Sequence, residues 1–229
     1  TEHRFSGGGS FMYDQFDEQL LNGPADLTFN RTETVPGLFA QYTYTHKQTF
    51  SVILGGRADY HSEYGMFYTP RLHLKWDMNE KTAIRASIGR GYRSPHVIAE
   101  NMSLMASSRQ WVFTEDLKAE EAWNYGINFT REISLGKEYK ATLSMDAYRT
   151  DFVNQVIVDV ESDLRKVIIG NLNGQSFSNS FQANLTLDLG KQWDVTLAGR
   201  YNDLRQTVDK ILEVKPMVTE TFEVTPNTD

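Results

Sequence analysis

The chain has 229 residues, with 23 basic against 30 acidic side chains, a net charge of −7 and no cysteine. The acidic balance excludes a nucleic-acid binder built on a concentrated basic face, and the lack of cysteine excludes a disulfide framework, a thiolate metal centre and thiol catalysis. Mean hydropathy is −0.48, and no run approaches the roughly 18 apolar residues a spanning helix needs, which leaves open a spanning barrel whose strands alternate apolar and polar residues. Running from Thr1-Glu2-His3, with no Met and no signal peptide, to Asn227-Thr228-Asp229, the chain is expected to be an internal piece of a longer protein.

In chain order the period is two nearly throughout. Gly7-Gly8-Gly9 lies in a strand-like segment with no helix after it, which makes a phosphate cradle improbable. Across 48–60, Phe50, Val52, Leu54, Gly56, Ala58 and Tyr60 alternate with Ser51, Ile53, Gly55, Arg57 and Asp59. Across 66–77, Met66, Tyr68, Pro70, Leu72, Leu74 and Trp76 oppose Phe67, Thr69, Arg71, His73, Lys75 and Asp77. The pattern returns at 82–88, 123–130, 139–148, 181–189 and 193–202. Strict alternation means strands with one apolar and one polar face. Tight polar turns at 45–48, 77–81, 135–138 and 189–192 alternate with longer links near 17–34, 61–65, 94–118 and 161–165. Short turns on one side and long loops on the other describe an antiparallel up-and-down transmembrane β-barrel wall. Counting hairpins predicts about nine strands, several longer than the roughly 9–11 residues that a tilted strand needs to cross a bilayer.

Face assignment follows from the aromatics. Trp76, Trp123, Tyr125, Tyr139, Trp193 and Tyr201 fall on apolar faces, many near strand ends, as a membrane-interface girdle requires. Arg57, Asp59, Arg71, His73, Lys75, Arg85, Asn124, Asp146, Asp194 and Arg200 fall on the opposite faces and suit a wet lumen. A soluble β-sandwich acting as a carbohydrate-binding module is the main alternative; it requires Phe50, Val52, Leu54, Trp193 and Val195 to be buried between two sheets. A smaller complete barrel with an adhesive or enzymatic role is another, and it requires the 11–16 and 193–201 segments to pair.

The segment Ile84-Arg85-Ala86-Ser87-Ile88-Gly89-Arg90-Gly91-Tyr92-Arg93-Ser94-Pro95 resembles the barrel signature of TonB-dependent outer-membrane receptors. Glu115-Asp116-Leu117-Lys118-Ala119-Glu120, Trp123-Asn124-Tyr125-Gly126-Ile127-Asn128 and Asp146-Ala147-Tyr148-Arg149-Thr150-Asp151-Phe152 follow in the family's order, with Ala119 where proline is usual. The wording around Glu100-Asn101-Met102 and Ser107-Ser108-Arg109-Gln110 is similar to receptors of the Bacteroidetes type. The resemblance implies that residues 1–229 are a partial barrel domain of a 22-stranded barrel, without its plug domain or closing strands. It also implies a Gram-negative outer-membrane location. The implied function is energised uptake of a siderophore, cobalamin, metal chelate or glycan, driven by a TonB-type complex acting through the plug. Outer-membrane lipid and, in some receptors, a surface lipoprotein are the implied partners; no cofactor and no enzymatic activity are implied.

For ligand contact the long surface loop 94–118 is the best place. Pro95 after Ser94, with Ile98, Met102 and Met105 at helical spacing, predicts a short amphipathic helix over the barrel mouth. Tyr92, Arg93, His96, Met102, Met105, Arg109 and Trp111 are the candidate ligand-binding residues. Met and His together could bind soft copper, but Met at this spacing more often packs. Asp59, His61 and Glu63 could hold a hard metal, though a solvated loop tip is the simpler reading. Neither group is assigned as a metal site. No Gly-x-Ser-x-Gly elbow and no His-Glu-x-x-His occurs, so no catalytic residue is assigned.

Overall fold

The structure is a computed structural model that describes residues 1–20, 27–47, 49–136, 138–190, 193–208 and 211–226. Its strands are β1 (Glu2–Leu20), β2 (Leu27–His46), β3 (Phe50–His61), β4 (Gly65–Tyr68), β5 (Arg71–Asn79), β6 (Thr82–Arg93), β7 (Gln110–Phe113), β8 (Glu120–Leu135), β9 (Tyr139–Asn154), β10 (Val156–Asp159), β11 (Lys166–Asn171), β12 (Ser176–Asp188), β13 (Trp193–Val208) and β14 (Ile211–Pro226). Two short helical turns, α1 (Val97–Glu100) and the 3₁₀ turn Met102–Ala106, lie between β6 and β7.

The wall is one antiparallel sheet in the order β1-β2-β3-β5-β6-β8-β9-β12-β13-β14, with β4 also paired to β3. Strands β4 and β5 are two parts of one wall strand, parted at Thr69-Pro70, where proline can donate no ladder hydrogen bond. Each strand joins the next in a meander, as the alternation predicts. Short turns at one end are closed by left-handed residues: Gly136 (φ 84°) and Gly190 (φ 83°) in the two Gly-Lys turns, and Lys47 (φ 48°) between β2 and β3.

Register confirms the two faces. Phe50, Trp76, Ile84, Phe129, Met145 and Ala183 form one cross-strand row. One residue along, Ser51, Lys75, Arg85, Asn128, Asp146, Gln182 and Arg200 form the opposing row. The apolar face is not a core: Leu54 is 56% and Trp193 48% exposed. The sandwich alternative fails on this point, since its core residues are outside. β1 pairs with β2, and β13 with β12 and β14, so the 11–16 and 193–201 segments are not partners and the small-barrel alternative lacks its closing contact.

Two expectations need correction. The link expected over 17–34 is mostly strand: β1 and β2 stay in register out to Leu20↔Leu27, and at 19 and 20 residues they rise well beyond the roughly 9–11 that span a bilayer. The turn near 161–165 does not join two wall strands. It joins β10 to β11, an excursion between β9 and β12.

That excursion builds the hydrophobic core. β11 pairs antiparallel with β10 and parallel with β7, so the loop after β6 and the loop after β9 share one three-stranded sheet. Val97, Trp111, Val167 and Ile169 are buried together there, with Ile98, Leu104, Phe113, Leu117, Val156, Val158 and Val160 packed around them. This loop body sits on the long-loop side of the wall.

Candidate functional site at the long-loop end

At the long-loop end, the lumen face of the wall carries buried polar groups, among them Asp59, which alternation places on the wet side. Glu33 and His61 are each 1% exposed and Asp59 2%. Glu33 Oε1 faces Arg31 Nε at 2.9 Å as an ion pair without hydrogen-bond alignment. The other oxygen, Oε2, accepts the Ser94 hydroxyl at 3.1 Å and lies 3.4 Å from His61 Nε2. Arg57 clasps both Asp59 oxygens through Nε at 2.8 and 2.7 Å and donates to Ser10 at 2.7 Å. Gly37 is required beneath this pair, because a Cβ there would collide with Asp59 Oδ1. Asp59 and His61 are therefore structural, not the solvated tip expected, and among the described residues no three or more His, Cys, Asp or Glu side chains cluster as a metal site would.

Ser94, His61 and Glu33 invite a hydrolase reading, and hydrogen bonding refuses it. His61 Nδ1 accepts the Glu63 and Tyr64 amides at 3.2 and 3.4 Å, so its proton is on Nε2. That nitrogen, 3.0 Å from Ser94 Oγ, donates to the serine and cannot take its proton. Beside it, burial pushes the Tyr64 hydroxyl up to about 12, Glu63 adding to the shift and Arg31 opposing it.

The expected helix is shorter and later. α1 starts after His96, not at Pro95, because Ser94 spends its hydroxyl on Glu33 and gives no cap. Of the seven predicted contact residues, Trp111 is 4% exposed in the loop core. Arg109 donates to the Val160 carbonyl at 2.9 Å. Arg93 is held by Glu120 and by Glu100, the latter at 2.9 Å. His96 Nδ1 accepts from Arg31 at 2.6 Å and its ring meets Phe16. The Tyr92 ring stacks on Phe67, 3.9 Å between centroids. Only Met102 and Met105 of the seven are apolar side chains left open, Met102 at 63%.

Missed by the sequence is a cleft of about 580 Å³ between the raised β1–β2 hairpin and the loop body. Arg31, Tyr64, Ile98, Phe113, Asp116 and Leu117 are among its walls. Below it, the lumen face holds a recess of about 800 Å³ lined by Arg71, His73, Lys75, Arg85, Asn128 and Asp146 among others. Arg71 and Arg85 donate there to the amide oxygens of Gln41 and Asn128, not to carboxylates.

Residues 2–165 match the family model described as TonB dependent receptor-like, beta-barrel. The chain belongs to this TonB-dependent receptor family. As a TonB-dependent receptor barrel, it is an outer-membrane protein with no apolar spanning helix among its described residues. It is 20% identical over 157 residues to the iron-regulated outer membrane virulence protein of Vibrio cholerae, a match covering 68% of this chain and 23% of that protein. Among solved structures it is similar to the siderophore receptor PirA of Pseudomonas aeruginosa (TM-score 0.63, 14% identity, 98% of this chain and 46% of that one). It is also similar to a Q482A mutant of the ferric enterobactin receptor PfeA of Pseudomonas aeruginosa in complex with enterobactin (TM-score 0.64, 16% identity, 90% and 37%). At these identities the structural likeness establishes the fold. The chain thus spans about a quarter of the curated relatives it matches and less than half of the solved receptors.

Proposed function

We propose that this wall belongs to an outer-membrane receptor for energised uptake of a ferric siderophore or related iron chelate, not to an enzyme. The observation that carries this reading is the meander whose long-loop end alone is elaborated into a cleft and a packed loop body. The iron-related names of the relatives support the choice of an iron chelate over cobalamin or a glycan. A ligand is first met by the long-loop end, where Met102 and Met105 are open and Tyr92, Arg93, His96, Arg109 and Trp111 hold the surface that presents them. Passage then follows the polar lumen face, with a plug domain and a TonB-type complex supplying the gate and the energy. A transport role is favoured over a hydrolytic one because, at Ser94–His61–Glu33, the imidazole donates to the serine and does not take its proton.

The test is equilibrium binding of a panel of ferric siderophores, cobalamin and oligosaccharides to the purified full-length receptor. Submicromolar binding of a ferric siderophore, weakened by Trp111→Ala, supports the reading; binding of cobalamin or a glycan alone replaces the ligand class.

A further inference from the structure

Three long side chains on the lumen face lie across glycines of the neighbouring strand. Gly126 of β8 pairs directly with Tyr148 of β9, and a Cβ at Gly126 would stand 2.6 and 2.8 Å from Cε1 and Cδ1 of that ring. Gly55 of β3 pairs with Arg71 of β5, and a Cβ there would stand 3.0 Å from Arg71 Nε and 3.2 Å from its Cγ. Gly8 of β1 pairs with Phe39 of β2, two of whose ring carbons would lie 3.0 Å from a Cβ at Gly8. In each pair the long side chain comes from the later strand and leans toward the earlier one.

Side chains of a sheet ordinarily stand roughly perpendicular to it; these fill the place of a missing side chain instead. Glycine inside a strand weakens it, and its use there is to let another group come close. Arg71 is held down by its hydrogen bond to the Gln41 amide oxygen at 2.9 Å. Tyr148 stays 44% exposed, although its ring edge covers Gly126. Both side chains line the lumen recess of about 800 Å³. Between their strands the lumen face carries Gly89 beside Arg71, and Ser87 beside Gly126. Turned upright, either Arg71 or Tyr148 would stand in the lumen.

We propose that Gly55 and Gly126 are positioning residues for uptake. By letting Arg71 and Tyr148 lie along the wall, they keep the width through which an iron chelate passes between this wall and the plug. The inference rests on the uptake reading above and adds to it the part of the wall that sets the clearance. Residues facing a barrel's lumen tune what passes it, and here the tuning is done by the absence of two side chains. The same pairs also fill gaps in the sheet, as a cross-strand contact does, so the experiment separates clearance from strand pairing.

Cells carrying the full-length receptor are given ⁵⁵Fe as ferric enterobactin, ferrichrome or ferrioxamine B. Binding is read on de-energised cells and accumulation on energised ones. Gly126→Val should bind as the unmodified receptor does but accumulate little iron, because a side chain at 126 takes the place of the Tyr148 ring and turns it into the lumen. Adding Tyr148→Ala to that variant should restore accumulation. Gly55→Val, with Arg71→Ala as its partner change, is a second such pair if the first variant misfolds by heat-modifiable mobility. Accumulation by folded Gly126→Val and Gly55→Val equal to that of the unmodified receptor overturns the proposal. So does a loss that the partner changes do not restore, or one in which binding falls in step, since either would assign the glycines to strand pairing. An unmodified receptor that binds none of the three chelates removes the uptake reading, and this inference with it.

Discussion

Glu120 Oε1 accepts the Val156 amide at 2.9 Å, so one buried carboxylate ties the first residue of β8 to the first residue of β10. Its second oxygen holds Arg93 at the end of β6. Wall and loop body meet at this side chain, with Asn154 Nδ2 donating to the Ala119 carbonyl at 2.8 Å beside it.

Weakening that tie should free the loop body and spare the wall. Replacing a charged acceptor costs about 1.5–3 kcal/mol. Glu120→Gln should therefore raise hydrogen exchange at 156–159 and 167–171 by about tenfold or more, with exchange in β12 and β13 unchanged. Equal loosening of both would show that loops and wall unfold together.

Trp111→Ala should remove about 3–5 kcal/mol of packing from a core that belongs to the loops alone. Limited proteolysis of intact cells should then cut within 94–119 and 155–175, while the detergent-solubilised barrel keeps its heat-modifiable mobility. Loss of the folded barrel would contradict a separate loop core.

The pH dependence of the loop sheet rests on Asp159. Burial raises its carboxyl pKa, but bonds from the Ser162 side chain and amide and from the Glu161 amide outweigh burial and hold it below the ordinary value of 3.8. A depressed folded pKa means that the contribution is whole above the unfolded value and is lost as pH falls through the folded one. Protection of the 160–165 turn should hold at pH 5 to 7 and fall below about pH 4. Asp159→Asn should reduce it at neutral pH and flatten the profile.

Charge should be tolerated on one face only. Ile127→Arg puts a cation on the outer face and should cost about 2–4 kcal/mol in bilayer folding, whereas Ile53→Arg, on the lumen face, should cost far less. Folding yield into lipid vesicles measures both.

Strand order and faces were legible because each rests on local alternation: Phe50 to Tyr60 and Trp193 to Tyr201 declare their outer side without reference to partners. The loop sheet was not, since its strands are short and β7 meets β11 more than fifty residues away. A signal was nevertheless present. Trp111-Val112-Phe113, Val156-Ile157-Val158 and Val167-Ile168-Ile169 are unbroken apolar runs, the pattern of strands buried on both faces. Taking Trp111 as a surface contact overlooked it. Glu33 and His61 escaped for the opposite reason. Alternation sends polar residues to water, and it takes Ser94, arriving from the end of β6, together with Arg31 two residues along β2, to let them stay dry.

Uptake of radioactive iron by cells that depend on the full-length receptor is the most direct measurement. Accumulation of ⁵⁵Fe supplied as a ferric siderophore should require both the receptor and a functional TonB-type complex, and should fall with Trp111→Ala. Equal accumulation without the receptor, or without the energising complex, would contradict the account.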